Sequence, residues 1–289
     1  MIEIKNLKFN YKNKFQLNIP DLIINDGIVG LLGTNGSGKT TFFKILSTIL
    51  PLKNGSININ GLNLTAKNYS KIRSILSYMP QNFDFFPKFS VYEVLEYFAI
   101  LKLMDKSIIS QRIEEVLTEV NMLDYKNSLA TNLSGGLKRR LGFAISILNQ
   151  PKILLLDEPT AGVDPKERIE MRNSIKKYSK GRLILISTHI VEDIENLCSD
   201  VIILLNGNVK YAGKTNNFIE NSPSVYILKI KNDEFEKVKM LGEIINIKYI
   251  DDFMEITLVS DKNLDAIEKN KTLESGYLYV QNKNSFIKN

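Results

Sequence analysis

Residues 28 to 41 leave a chain of this kind the fewest options. Ile28 to Leu32 is a short apolar strand, Gly33-Thr34-Asn35-Gly36-Ser37-Gly38-Lys39-Thr40 follows without interruption, and Lys39 to Leu50 carries helical spacing. Gly33, four residues, then Gly38, Lys39 and Thr40 is the spacing of a phosphate-binding loop. Its glycines let successive N–H groups turn inward around phosphate oxygens, and the helix behind presents its positive end. Gly33, Asn35, Gly36, Ser37, Gly38, Lys39, Thr40 and Thr41 are the expected nucleotide contacts. Lys39 offers a cation to the β- and γ-phosphates, and Thr40 a hydroxyl for Mg²⁺.

The surrounding pattern fits an α/β fold. Ile2 to Tyr11 and Phe15 to Ile24 read as antiparallel strands separated by a turn-like Lys-Asn-Lys and broken by Pro20. Ser90 to Leu103, Ser107 to Leu123 and Gly135 to Asn149 read as helices, so residues 83 to 149 form a helical insert. Strands and helices then alternate from Ile153 to Leu205, which implies a largely parallel sheet. After a turn-rich joint at Asn221 to Pro223, strands are expected at Val225 to Lys231, Ile244 to Tyr249, Phe253 to Val259 and Gly276 to Val280. Helices are expected at Glu234 to Leu241 and Asn263 to Lys269, giving a small βαββαβ-like α+β appendage. The expected division is 1 to 222 and 223 to 289.

Composition removes several classes. No segment approaches the roughly 18–20 uninterrupted apolar residues that cross a bilayer, and the opening Met-Ile-Glu-Ile-Lys lacks a secretory signal, so cytoplasmic residence is the expectation. A lone cysteine, Cys198, cannot make an internal disulfide. The net charge of +6 is dispersed among acids along the chain, the pattern of a solvated surface, and no nucleic-acid partner is expected.

Three further groups carry chemistry. Ile153 to Leu156 is an apolar strand ending in Asp157 and Glu158, and carboxylates at the C-terminal end of a parallel strand sit where such sheets bind ligands. Asp157 is placed to hold Mg²⁺ and Glu158 to polarise an attacking water. Leu133-Ser134-Gly135-Gly136-Leu137 precedes a helix, with Ser134 a natural cap. Ser187-Thr188-His189 ends another strand with the sole histidine. In this order, with Gln81 in Tyr78-Met79-Pro80-Gln81, these motifs make residues 1 to 220 resemble the ATP-binding cassette (ABC) ATPases, most closely subunits of bacterial exporters.

That resemblance implies a P-loop NTPase cassette, with a RecA-like core, N-terminal antiparallel strands and a helical subdomain, that hydrolyses ATP with Mg²⁺. It implies catalytic roles for Lys39, Gln81, Glu158 and His189, and metal contacts from Thr40, Gln81 and Asp157. Tyr11 matches an aromatic that stacks on adenine, though a plain strand tyrosine reads the same way. Ser134, Gly135 and Gly136 match the signature that completes the site of an opposing subunit, and Asp164 in Ala161-Gly162-Val163-Asp164 matches a dimer-seam loop and doubles as a helix cap. Leu137 departs from the family's usual glutamine. The implied partners are transmembrane permease subunits and a second ATPase subunit, identical or not, with attachment to the inner face of the membrane. Phe83, Phe85, Phe86 and Phe89 fit either a docking surface for a permease helix or the core of the insert. A nucleic-acid or ribosome-acting ABC ATPase is the alternative, and a non-hydrolysing regulatory module a third reading.

Overall fold

The computed structural model describes residues 1–11 and 15–283; the turn expected at 12–14 lies outside them. The amino-terminal half contains β1 (Ile2–Tyr11), β2 (Phe15–Ile19), β3 (Leu22–Ile24), β4 (Gly27–Leu32), α1 (Lys39–Leu46), β5 (Asn54–Ile59), β6 (Leu62–Asn63), α2 (Tyr69–Ile75) and β7 (Leu76–Met79). Pro20 lacks the N–H a ladder needs, and the second extended run breaks there into β2 and β3, which pair with successive stretches of β1. The helical insert follows as α3 (Val91–Leu101), α4 (Lys106–Glu119) and α5 (Gly135–Ile147). Their starts are written in the sequence: Ser90 and Glu93 form a reciprocal capping box on α3, Asp105 caps α4, and Ser134 caps α5.

The αβ pattern resumes with β8 (Ile153–Asp157), α6 (Pro165–Tyr178), β9 (Leu183–Thr188), α7 (Val191–Leu197), β10 (Asp200–Leu205), β11 (Asn208–Lys214) and α8 (Thr215–Asn221). Among the described residues, eleven strands form one sheet in the order β6-β5-β1-β2-β11-β10-β4-β9-β8-β7, with β3 beside β1. From β10 to β7 the strands are parallel; β1 pairs antiparallel with β2, β3 and β5. The two halves meet through a single parallel pair, Asn208 with Asn18.

Side chains alternate along a strand, so each central strand feeds two cores. Val29, Leu31, Leu155, Leu185 and Leu204 join Phe42, Phe43 and the amino-terminal strands on one side. Ile28, Leu32, Leu154, Ile186 and Ile203 join the insert and α6 on the other. Strands covered on both faces must be apolar throughout, which is why Ile153–Leu156 shows no polar alternation.

The tail comprises β12 (Ser224–Lys231), a short α9 (Phe235–Val238), β13 (Glu243–Ile250), β14 (Phe253–Ser260), β15 (Ile267–Lys269) and α10 (Leu273–Lys283). Its antiparallel sheet runs β13-β14-β12-β15. Two expectations are corrected. The helix placed at Asn263 to Lys269 ends instead as β15, paired with β12. The strand placed at Gly276 to Val280 lies inside α10, so the order is βαβββα. Tyr277, Tyr279 and Val280 have strand-like propensity, but Leu273, Tyr277 and Val280 recur at helical spacing and are buried in the cassette's own core with Phe218. Gly276 permits the approach, since a Cβ there would lie 2.2 Å from Ser222 Oγ.

Candidate active site

Strands β4, β9, β8 and β7 are neighbours, and their C-terminal ends deliver the phosphate loop, His189, the Asp157–Glu158 pair and Gln81 to one edge of the sheet. In the loop, Gly36 and Gly38 take φ of 80° and 110°, the left-handed region that favours glycine. A Cβ on Gly38 would lie 2.8 Å from the Phe15 ring. Gly207 N–H donates to Ser37 carbonyl oxygen at 3.0 Å, anchoring the loop from the β10–β11 turn.

Lys39 opens α1 and turns back over the loop, donating to the carbonyls of Gly33 at 2.8 Å and Thr34 at 3.1 Å. Burial pushes its pKa down, and the charges of Glu158 and Asp157 pull against that. Glu158 is buried and gathers the other groups. Gln81 Nε2 donates to Glu158 Oε2 at 3.2 Å, His189 Nδ1 lies 3.1 Å from Oε1, and Lys39 Nζ lies 3.7 Å from Oε1. All four residues expected to be catalytic are therefore in one cluster. Asp157 is fully buried and accepts hydrogen bonds from the Ser187 hydroxyl and, at 3.2 Å, from Tyr78 Oη. Burial first, and the Asp157 charge second, hold the Tyr78 phenol well above its ordinary pKa. Tyr78 and Ser187 as holders of Asp157 were not foreseen in the sequence; their positions on the strands just before Gln81 and His189 were the available signal.

A cleft of about 570 Å³ lies over this cluster, with Tyr11, Phe15, Asn35, Gly36, Lys39, Thr40, Thr41, Gln81 and Glu158 in its wall. Tyr11 is 41% exposed at one end, and Phe15, absent from the sequence reading, supplies a second ring there. A larger cleft of about 660 Å³, lined by Lys5, Asp21, Ile23 and Tyr211, gathers none of these groups, and chemistry rather than size selects the former. Ser134, Gly135, Gly136 and Asp164 do not line the cleft of their own chain. Ser134 accepts from Leu137 N–H at 3.3 Å, and a Cβ on Gly135 would meet nothing within 4 Å. Asp164 caps α6 through Glu167 N–H at 3.0 Å. Leu137 packs against the core.

The phenylalanines divide between core and surface. Phe83, Phe85 and Phe89 pack on the core, whereas Phe86 is exposed beside Tyr97, with Ile100, Leu101 and Leu103 exposed farther along α3 and just past its end. Arg139, one turn past the signature on α5, donates to the Gln81 carbonyl and lies 5.6 Å over the Phe83 ring. Burial lowers its pKa against the opposing charges of Glu158 and Asp157.

The sequence profile described as ABC transporter matches residues 18–161. YdbJ, an ABC transporter ATP-binding protein of Bacillus subtilis, is 36% identical over 185 residues, spanning 63% of this chain and 59% of YdbJ. YxlF, another ABC transporter ATP-binding protein of that bacterium, is 30% identical over 233 residues, spanning 80% of this chain and 77% of YxlF. The chain belongs to the ABC transporter ATP-binding protein family. Nod factor export ATP-binding protein I of Cupriavidus pinatubonensis, also an ABC protein, is 29% identical over 83% of this chain and 74% of its own. Among solved ABC cassettes, a dimeric one in a post-hydrolysis state bound to ADP and Pi superposes with a TM-score of 0.66. It is 25% identical and covers 74% of this chain and 98% of that one.

The cleft suits the family's nucleotide and its metal. The Lys39 ammonium and the Thr40 and Thr41 hydroxyls line it, donors of the kind that hold phosphate oxygens. Among the described residues no three His, Cys, Asp or Glu converge to cage a metal. The oxygen donors of Thr40 and Gln81 in the cleft wall, with the Asp157 carboxylate ending β8, are of the kind Mg²⁺ takes one or two of before completing its shell with phosphate oxygens and water.

Proposed function

We propose that the chain binds and hydrolyses ATP as one half of a nucleotide-sandwiching dimer and drives export through transmembrane subunits carried on other chains. The convergence of Lys39, Gln81 and Glu158 on one cleft, with His189 3.1 Å from Glu158 and the chain's own Ser134–Gly136 outside the cleft wall, carries this reading. Lys39 exchanges the Gly33 and Thr34 carbonyls for β- and γ-phosphate oxygens, and His189 holds the γ-phosphate. Glu158 orients a water for in-line attack at the γ-phosphorus, and ADP departs from the opposite side. Thr40, Gln81 and Asp157 would hold Mg²⁺, which supplies charge neutralisation when bound. Tyr11 and Phe15 take the adenine. The signature of a second subunit, with Asp164 at the seam, closes the site.

The exposed face of Phe86, Tyr97, Ile100 and Leu101, next to Gln81, is where a short helix of a permease subunit fits. It would attach the chain to the inner face of the membrane. No helix among the described residues is long and apolar enough to cross one. Export rather than import follows the likeness to Nod factor export ATP-binding protein I. Residues 1 to 222 are the motor, and the segment from Pro223 an accessory domain.

Shared sites make a sharp test. Lys39→Ala and Ser134→Arg are each expected to be inactive alone. Mixed in equal amounts, half of the dimers are mixed and each holds one intact site, so turnover should return to about a quarter of wild type. An inactive mixture in which mixed dimers are demonstrated, or full activity from Ser134→Arg alone, removes the half-site arrangement.

A further inference from the structure

Two loops leave the neighbouring strands β8 and β9 at the site. One runs from Glu158 through Thr160 to Asp164; the other carries His189 into α7. A single buried carboxylate joins them. Asp193, in the first turn of α7, is 1% exposed and accepts the hydroxyl of Thr160 on Oδ2. Its Oδ1 accepts Arg172 Nε at 2.8 Å, and Arg172 reaches Glu192 with NH1 at 3.0 Å. Thr160 is equally buried, and Arg172 comes from α6, the helix that Asp164 caps. Three elements therefore meet on one side chain.

The far side of α7 is also fixed. A Cβ on Gly30 of β4 would lie 2.2 Å from Ile194 Cδ1, so the helix sits against bare backbone there. A carboxylate in such a place is tolerated because both oxygens are taken and Arg172 NH2, 2.6 Å from Oδ1, balances the charge, and a buried network of this kind selects one arrangement more than it adds net stability.

We propose that Thr160 and Asp193 are positioning residues for hydrolysis, holding the loop that begins at Glu158 in register with the helix that follows His189. Their contact keeps the 3.1 Å approach of His189 to Glu158 preformed, without either touching nucleotide. The inference rests on the reading of Glu158 and His189 as hydrolytic groups.

Thr160→Val keeps the shape and removes the donor; Thr160→Ser restores it. In the full chain, steady-state turnover, ATP affinity and thermal midpoint are measured for both, at a temperature well below either midpoint. Thr160→Val is expected to lower kcat by roughly 10–100-fold with KM within about 3-fold, and Thr160→Ser to return within about 3-fold of wild type. In a His189→Ala background the valine is expected to add little, because it acts through the same histidine. The proposal is overturned if Thr160→Val keeps turnover within about 2-fold of wild type. It is equally overturned if serine fails alongside valine in step with the thermal midpoint, or if the valine loss is undiminished in the His189→Ala background. A wild-type chain that binds ATP but never hydrolyses it, beside an indistinguishable Glu158→Gln, removes the underlying reading instead.

Discussion

Lys102 ends α3 with its ammonium donating to Ser77 Oγ at 3.2 Å and Asn149 Oδ1 at 3.0 Å, neither of them charged. Burial pushes its pKa down to about 8 from 10.5. Between those values the unfolded chain holds a proton that the folded chain releases, so stability rises as pH climbs through the window, and below about 8 the buried charge is a liability. The shift corresponds to a penalty on the order of 3 kcal/mol. Lys102→Met is therefore expected to match or exceed wild-type stability at pH 7, with its advantage shrinking toward pH 10. Urea unfolding of both proteins across that range checks this, and a difference that stays flat with pH sinks it. Lys102 was invisible in the sequence because its burial comes from residues 25 and 47 positions away. Lys39 was legible from local spacing, and Glu158 because its strand follows a phosphate loop in the same chain; the place of Phe15 in the cleft wall was not, since it depends on how β2 packs against Gly38.

Helix α5 ties the site to the insert. Arg139 holds the Gln81 carbonyl, and three residues on, a Cβ at Gly142 would lie 2.4 Å from Phe83 Cζ. Gly142→Val must push the ring off the helix, and Gln81, two residues before Phe83, moves with it. Turnover is expected to fall on the order of 10-fold with ATP binding kept, and adding Phe83→Ala should recover much of the loss by emptying the contested space. Turnover assays on the single and double variants decide the matter; a double variant no better than Gly142→Val alone points to damage within α5 itself. The helices of the insert could be read from the sequence because each start carries its own cap. In α10 the opposite held, where Gly276 to Val280 looked like a strand until the burial of Leu273 and Val280 on one stripe made it a helix.

At the scale of the molecule, the sheet is two blocks with a narrow join. Among the described residues Asn208 and Asn18 form its one ladder pair, and the Asn206–Gly207 turn fills the rest, with Gly207 N–H on the phosphate loop and its carbonyl accepting Asn18 N–H at 2.6 Å. Tyr11 and Phe15 ride on the antiparallel block, while Lys39 and Thr40 belong to the parallel one. In the proposed pose a nucleotide spanning both would act as a strut, the base on one block and the polyphosphate on the other, adding to the ladder pair and to the core the two blocks share. ATP should therefore slow amide exchange at Asn18 and Gly207 far more than tripolyphosphate does at equal occupancy. Equal protection by the two ligands would mean the blocks were already rigidly joined. If exchange follows that pattern, the molecule senses the length of its nucleotide, because only a ligand touching both blocks stiffens it.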